Sequence, residues 1–121
     1  MSSQKNLPLW RRTGFALAGL LHAVRAEHSV RFEAIVLVLV LAALAVLRPG
    51  PIWWAAVALA SAGVLAAELL NTAIEALADH VSPDFHPLIK VAKDCAAAAV
   101  LVTVVGALGV AAALAVHLLD K

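Results

Sequence analysis

The chain has 121 residues, of which 64% are hydrophobic and 14% charged; its formal net charge is +1 and its mean hydropathy +0.96. Soluble domains carry about 25% charged residues, so the composition excludes an ordinary water-soluble globule and indicates an all-α membrane protein with few spans. The lack of a basic, aromatic-interleaved surface argues against a nucleic-acid partner, and a single cysteine, Cys95, rules out an internal disulfide.

Residues 8–26 read as an interfacial amphipathic helix. Trp10, Leu17, Leu21 and Val24 recur at spacings of seven and four, while Arg11, His22 and Arg25 take the opposite face, where cations favour anionic lipid. Phe15 falls on the polar side, about 40° from Arg11 at ~100° per residue. It is either an incidental exposed ring or one that stacks on a purine base. The apolar run Phe15 to Leu21 does not read as a signal peptide, because Arg25 and Glu27 stand where small residues would be needed for cleavage.

Three membrane helices follow, expected at 30–47, 52–80 and 88–119 within a single domain spanning 1–121. The first ends at Arg48-Pro49-Gly50-Pro51, a turn. A span needs ~20 apolar residues, so the first two are long enough only if Arg31 and Glu33 open span 1 and Glu68 lies inside the far end of span 2. Those charges must therefore lie near one membrane face. Lys5, Arg11, Arg12, Arg25, Arg31, Lys90 and Lys93 fall on that side, against Arg48 and Lys121 on the other. This bias places the N-terminus and the 80–93 connection in the cytoplasm, with Trp53 and Trp54 anchoring the outer interface. In the connection, Ser82-Pro83 reads as the start of a helical turn, and Pro87 as the start of the last helix. Ala96 to Ala99, Gly106, Gly109 and Ala111 to Ala113 read as small residues that let helices or subunits approach. Cys95 reads as a packing residue and the scattered histidines as solvated or interfacial.

The chemistry is concentrated in AELLNTAIEALAD. Relative to Glu68, Asn71 lies at about −60°, Glu75 at about −20° and Asp79 at about +20° around a helix. Three carboxylates and an amide thus share one stripe of an apolar helix, where unpaired charge is expensive. Glu27, Arg31 and Glu33 precede span 1; Lys90, Lys93 and Asp94 open span 3. Taken singly, Glu27–Arg31 and Lys90–Asp94 are i,i+4 pairs with no further role. Taken together, the three clusters suit metal-assisted phosphoryl transfer: carboxylates for Mg²⁺, a lysine for phosphate and a carboxylate for a hydroxyl proton. Neither a Gly-rich phosphate loop nor a protein-kinase pattern is present. Two rival classes remain. A proton-coupled exporter would need a charge near the midplane, which no span has, and a non-catalytic scaffold leaves the stripe opposite Lys93 unexplained.

These residues carry a resemblance. ELLNTAIEALAD, the downstream VAKD, AGLLHAVRAEHSVRFE and the Phe85-His86 pair make the chain, from about Phe15 onward, similar to the prokaryotic diacylglycerol kinase family of small membrane enzymes. The resemblance implies a homotrimer with sites shared between subunits, in the bacterial inner membrane with the C-terminus periplasmic or extracellular. It implies transfer of the γ-phosphate of Mg-ATP to diacylglycerol, giving phosphatidic acid. Glu68 matches the catalytic carboxylate, and Glu27 and Glu75 the pair holding Mg²⁺. Asn71, Lys93 and Asp94 match nucleotide contacts, and Asp84, Phe85 and His86 a loop over the nucleotide. Arg31 and Glu33 match residues near the lipid, where Ala97 replaces a serine. Pro8 stands where a basic residue is common, with Arg11 or Arg12 as substitutes, and Phe15 stands where a tyrosine is familiar. HPLIKVAKD also resembles the undecaprenol kinase branch, whereas EHSVRFE leans towards the diacylglycerol branch.

Overall fold

The computed structural model describes residues 3–120, so Lys121, counted above on the outer side, lies outside the described residues. After a short 3-10 turn at Gln4–Asn6 come four helices: α1 (Leu9–Ala26), α2 (His28–Leu47), α3 (Pro51–Val81) and α4 (Pro87–Leu119). α2, α3 and α4 are long and apolar enough to cross a membrane. α3 is the central element; α4 packs along its length, α2 packs on it from another side, and α1 touches both α2 and α3.

The breaks between helices have local causes. α2 ends at Arg48, which adopts a left-handed conformation (φ 48°) and whose N–H bonds the Leu44 carbonyl. Gly50, at φ 116° and ψ 162°, then turns the chain into Pro51, the first residue of α3. That backbone region is essentially restricted to glycine. α4 starts at Pro87, as the sequence suggests: the His86 side chain caps it by accepting from the Leu88 N–H at 3.1 Å. The Ser82-Pro83 turn is not helical. Ser82 closes α3 instead, and its hydroxyl donates to the Asp84 carbonyl at 3.0 Å.

Helix lengths set the relation to the bilayer. At 1.5 Å per residue, α2 is about 30 Å long, one hydrocarbon thickness, whereas α3 and α4 are about 46 and 50 Å. At one end the helices finish together, with the Trp53 and His117 rings stacked at 5.3 Å. At the other, Ser29 in the first turn of α2 is level with Glu68, which it hydrogen-bonds. The 13 residues of α3 beyond Glu68 therefore extend about 20 Å past the first turn of α2. The surplus carries Asn71, Glu75 and Asp79.

The buried side chains are few and mostly small: Ala23, Val30, Leu44, Val57, Val64, Ala67, Ala78 and Ala96. Large apolar residues such as Phe32, Leu39, Leu101 and Val105 remain 60% exposed or more. Such a surface is stable against lipid or a neighbouring chain, not against water. Three sequence expectations change here. A Cβ at Gly106 or Gly109 would meet nothing, so neither glycine mediates a close approach within the chain. Cys95 is exposed instead of packed. Trp53 is half-buried against His117, which leaves Trp54 the more exposed of the two tryptophans.

Gly50→Ala should lower stability by about 1–3 kcal/mol through backbone strain alone, because the space around its Cβ is open. Arg48→Gly should be neutral or stabilising, since it relieves a left-handed residue. Thermal unfolding of the purified protein in detergent checks both.

Candidate active site

Two groups of polar side chains lie at the overhanging end. The lower group opens on a cavity of about 520 Å³ bounded by α2, α3 and α4. Its walls are apolar over almost their whole length, from Phe32, Val36 and Leu44 on α2, through Val57 and Val64 on α3, to Leu108 and Leu118 on α4. Only Ser29, Glu33, Ser61 and Glu68 bring polar atoms to it. Ser29 Oγ donates to Glu68 Oε2 at 3.1 Å, across from α2 to α3. Glu33 follows Ser29 by one helical turn, on the same face. Its Oε2 is buried with no hydrogen-bond partner among the described residues, and so is Oδ1 of Asn71. Buried acceptors without donors are rare in folded chains. The Glu33 acceptor is on the lining of that cavity, whereas Asn71 lies on α3 three residues beyond Glu68 and is not part of it.

The upper group sits on the overhang. Lys93 Nζ on α4 bonds Asp79 Oδ1 on α3 at 2.5 Å, and Glu75 is near enough to act on the same ammonium. Lys90 and Asp94 pair along α4 at 2.5 Å, as their spacing suggests. The stripe of α3 therefore serves two neighbours, with Glu68 turned to α2 and Asp79 to α4. Asp79 stands 11 residues above Glu68, a rise of about 16 Å, and Glu75 about 10 Å. The stripe read as one group from the sequence is thus divided, its carboxylates forming two levels.

Glu27 is the joint between α1 and α2 in extended conformation (φ −112°, ψ 120°), and its side chain makes no hydrogen bond or ion pair among the described residues. The expected Glu27–Arg31 pair does not form. Arg31 Nη1 instead donates to the Val24 and Arg25 carbonyls at 3.0 and 2.8 Å, and Nη2 donates to His28 Nδ1 at 2.8 Å. The carbonyls of a helix's last turn lack intrahelical partners, and this guanidinium supplies two of them for α1. Arg31 is thus committed to holding α1 on α2, not turned to a lipid headgroup.

The remaining residues are not gathered within one chain. Phe15 lies in mid-α1 and is 42% exposed; Asp84 and Phe85 are exposed in the 82–86 connection; Ala97 is exposed on α4. His86 is used as a helix cap. Sequence reasoning missed Ser29 altogether. Its signal was available: a hydroxyl four residues before Glu33, on the same face of an otherwise apolar span.

Comparison with known proteins decides what this arrangement belongs to. The family model described as prokaryotic diacylglycerol kinase matches residues 14–115. The chain belongs to the prokaryotic diacylglycerol kinase family. It is 39% identical over 94 residues to a diacylglycerol kinase of Synechocystis sp., covering 77% of this chain and 54% of that protein. It is 38% identical over 84 residues to the undecaprenol kinase of Bacillus subtilis, covering 69% and 68%. To a diacylglycerol kinase of Pseudomonas aeruginosa it is 44% identical over 90 residues, covering 72% and 71%. The chain thus matches only about half the length of the Synechocystis relative.

Membership of the prokaryotic diacylglycerol kinase family raises the question of a divalent cation. Among the described residues, no three acidic, histidine or cysteine side chains converge as a metal site. Glu27 and Glu75 are oxygen donors free of hydrogen bonds and ion pairs among the described residues, which fits an ion such as Mg²⁺ that retains waters and takes further oxygens from substrate phosphates.

Arg31→Ala should release the end of α1 and faster amide exchange should follow at residues 22–26, while α3 and α4 keep their protection. The expected local loss is about 1.5–3 kcal/mol, the range for hydrogen bonds from a charged donor.

Proposed function

We propose that this protein is an ATP-dependent lipid kinase that transfers the γ-phosphate of Mg-ATP to the hydroxyl of a membrane lipid. The observation that supports this most directly is the position of Glu68: a carboxylate at the polar end of a long apolar cavity, level with the start of α2. A lipid tail lying in that cavity brings its terminal hydroxyl to the carboxylate without leaving the bilayer. Glu68 accepts the hydroxyl proton as the lipid oxygen attacks the γ-phosphorus, and ADP departs.

The nucleotide is held above, on the overhang. Lys93, Asn71 and Asp94 contact it, while Asp84, Phe85, His86 and Phe15 close around it. Bound Mg²⁺, held by Glu27 and Glu75, would neutralise charge on the phosphates. Positioning and charge stabilisation supply most of the acceleration, since phosphoryl transfer demands little covalent chemistry from the protein. Glu33 lines the lipid's polar end together with Ala97, and Arg31 contributes by fixing α1. The overhang faces the cytoplasm, where ATP is, in accord with the Lys and Arg bias; the chain is then a bacterial inner-membrane protein with its C-terminus on the outer side. The exposed apolar residues of α1, Trp10, Leu17 and Leu21 among them, rest on the membrane surface. Those of α2 and α4 face lipid or the other subunits of a homotrimer whose sites draw on neighbouring chains.

Diacylglycerol is the acceptor we favour, and undecaprenol is the second reading. Two of the three relatives named above are diacylglycerol kinases, and one of comparable identity is an undecaprenol kinase. Incubating the purified protein with Mg-ATP and each lipid in parallel, and measuring phosphate incorporation, separates them. Phosphorylation of neither would end the kinase reading.

Two variants test the roles. Glu68→Gln should lower kcat about 10²–10⁴-fold, the usual share of general base catalysis, with the folded oligomer intact; retained turnover would remove Glu68 from the base role. Lys93→Ala should raise KM for Mg-ATP severalfold while KM for lipid stays constant. Asp79→Ala should change stability by less than about 1 kcal/mol, because the pair it breaks is solvent-exposed.

A further inference from the structure

Ser29 lies within the EHSVRFE stretch but has been given no role so far, yet its hydroxyl is the side-chain donor that reaches Glu68 among the described residues. We infer that Ser29 is a positioning residue, which fixes the Glu68 carboxylate so that one oxygen is held by α2 and the other is left free for the lipid hydroxyl. This inference rests on the lipid-kinase reading and deepens it.

Three observations carry it. The hydrogen bond runs to Oε2 alone, at 3.1 Å, leaving Oε1 without a partner among the described residues. Ser29 and Glu68 both line the mouth of the apolar cavity, so the constrained group is where an acceptor would arrive. A second carboxylate, Glu33, lies one turn along α2 on the same face, with its Oε2 buried and unpartnered. Of two acids lining one cavity, only Glu68 is given a donor.

The physical consequence is orientational. A glutamate has three rotatable side-chain torsions, and reaction requires its carboxylate to meet the lipid oxygen at hydrogen-bond distance. A hydroxyl fixed on a neighbouring helix removes much of that freedom before substrate arrives. The bland alternative is that Ser29 only satisfies local polarity at the start of α2. In that case the hydroxyl would matter to stability and not to turnover.

The test is a kinetic split in the intact oligomer, using Mg-ATP with whichever lipid the wild-type protein phosphorylates. Ser29→Ala should lower kcat roughly tenfold, the scale of one hydrogen bond to a charged group, with KM for Mg-ATP and the thermal midpoint unchanged. Ser29→Thr, which keeps the hydroxyl, should restore most of kcat, and Ser29→Cys, a weak donor of similar shape, should fall between. If Ser29→Ala retains full kcat, the positioning role is wrong. If all three variants lose activity in proportion to lost folded oligomer, Ser29 is structural and the inference is overturned. If the wild-type protein itself phosphorylates no lipid, the kinase reading fails first and takes this inference with it.

Discussion

Crossing a bilayer once takes about 20 residues, and this chain spends 31 and 33 of them on α3 and α4 while allotting 20 to α2. The difference would mean little if the surplus were shared between both ends. It is not: the Ser29–Glu68 hydrogen bond marks the start of α2 as level with Glu68 on α3, and the Trp53–His117 contact sets the opposite ends of α3 and α4 side by side. All the extra length is driven to one side. The charged residues of α3 and α4 are thereby lifted into water on rigid helices, while Glu68 stays at the boundary.

On the function proposed above, that arrangement reconciles two requirements that conflict in most proteins. A nucleotide needs water and cations; a lipid tail needs hydrocarbon. Here a single helix carries Glu68 at the mouth of an apolar cavity and Glu75 two turns above it, so one rod addresses both media. Charged groups on the overhang pair at the surface, as Lys93 does with Asp79. Lower down, Glu33 and Glu68 are the charged side chains that line the cavity.

The sequence made much of this legible and hid the rest for identifiable reasons. Proline and glycine mark helix boundaries by backbone geometry alone, so Arg48-Pro49-Gly50-Pro51 and Pro87 were readable. Ser82-Pro83 carried the same kind of signal, but the Ser82 hydroxyl turned to Asp84 and no helical turn formed. Helical periodicity gave the acidic stripe, yet it could not tell that neighbours on two sides would divide it into levels. The use of Arg31 to hold α1 was not legible because two of its three partners are main-chain carbonyls, which have no sequence signature. Ser29 escaped notice because an isolated serine in an apolar span has many innocuous uses, and only its proximity to Glu68 distinguishes it.

The attachment of α1 has a mechanical corollary. Besides its packing on α2 and α3, the 18-residue α1 is joined to the rest of the chain through a single extended residue, Glu27, with the Arg31 guanidinium holding its last turn. Glu27 is therefore the fulcrum of a lever whose long arm is α1. Tilting α1 about this joint turns the Glu27 backbone, so the set of α1 on the rest of the chain and the direction of that carboxylate are linked.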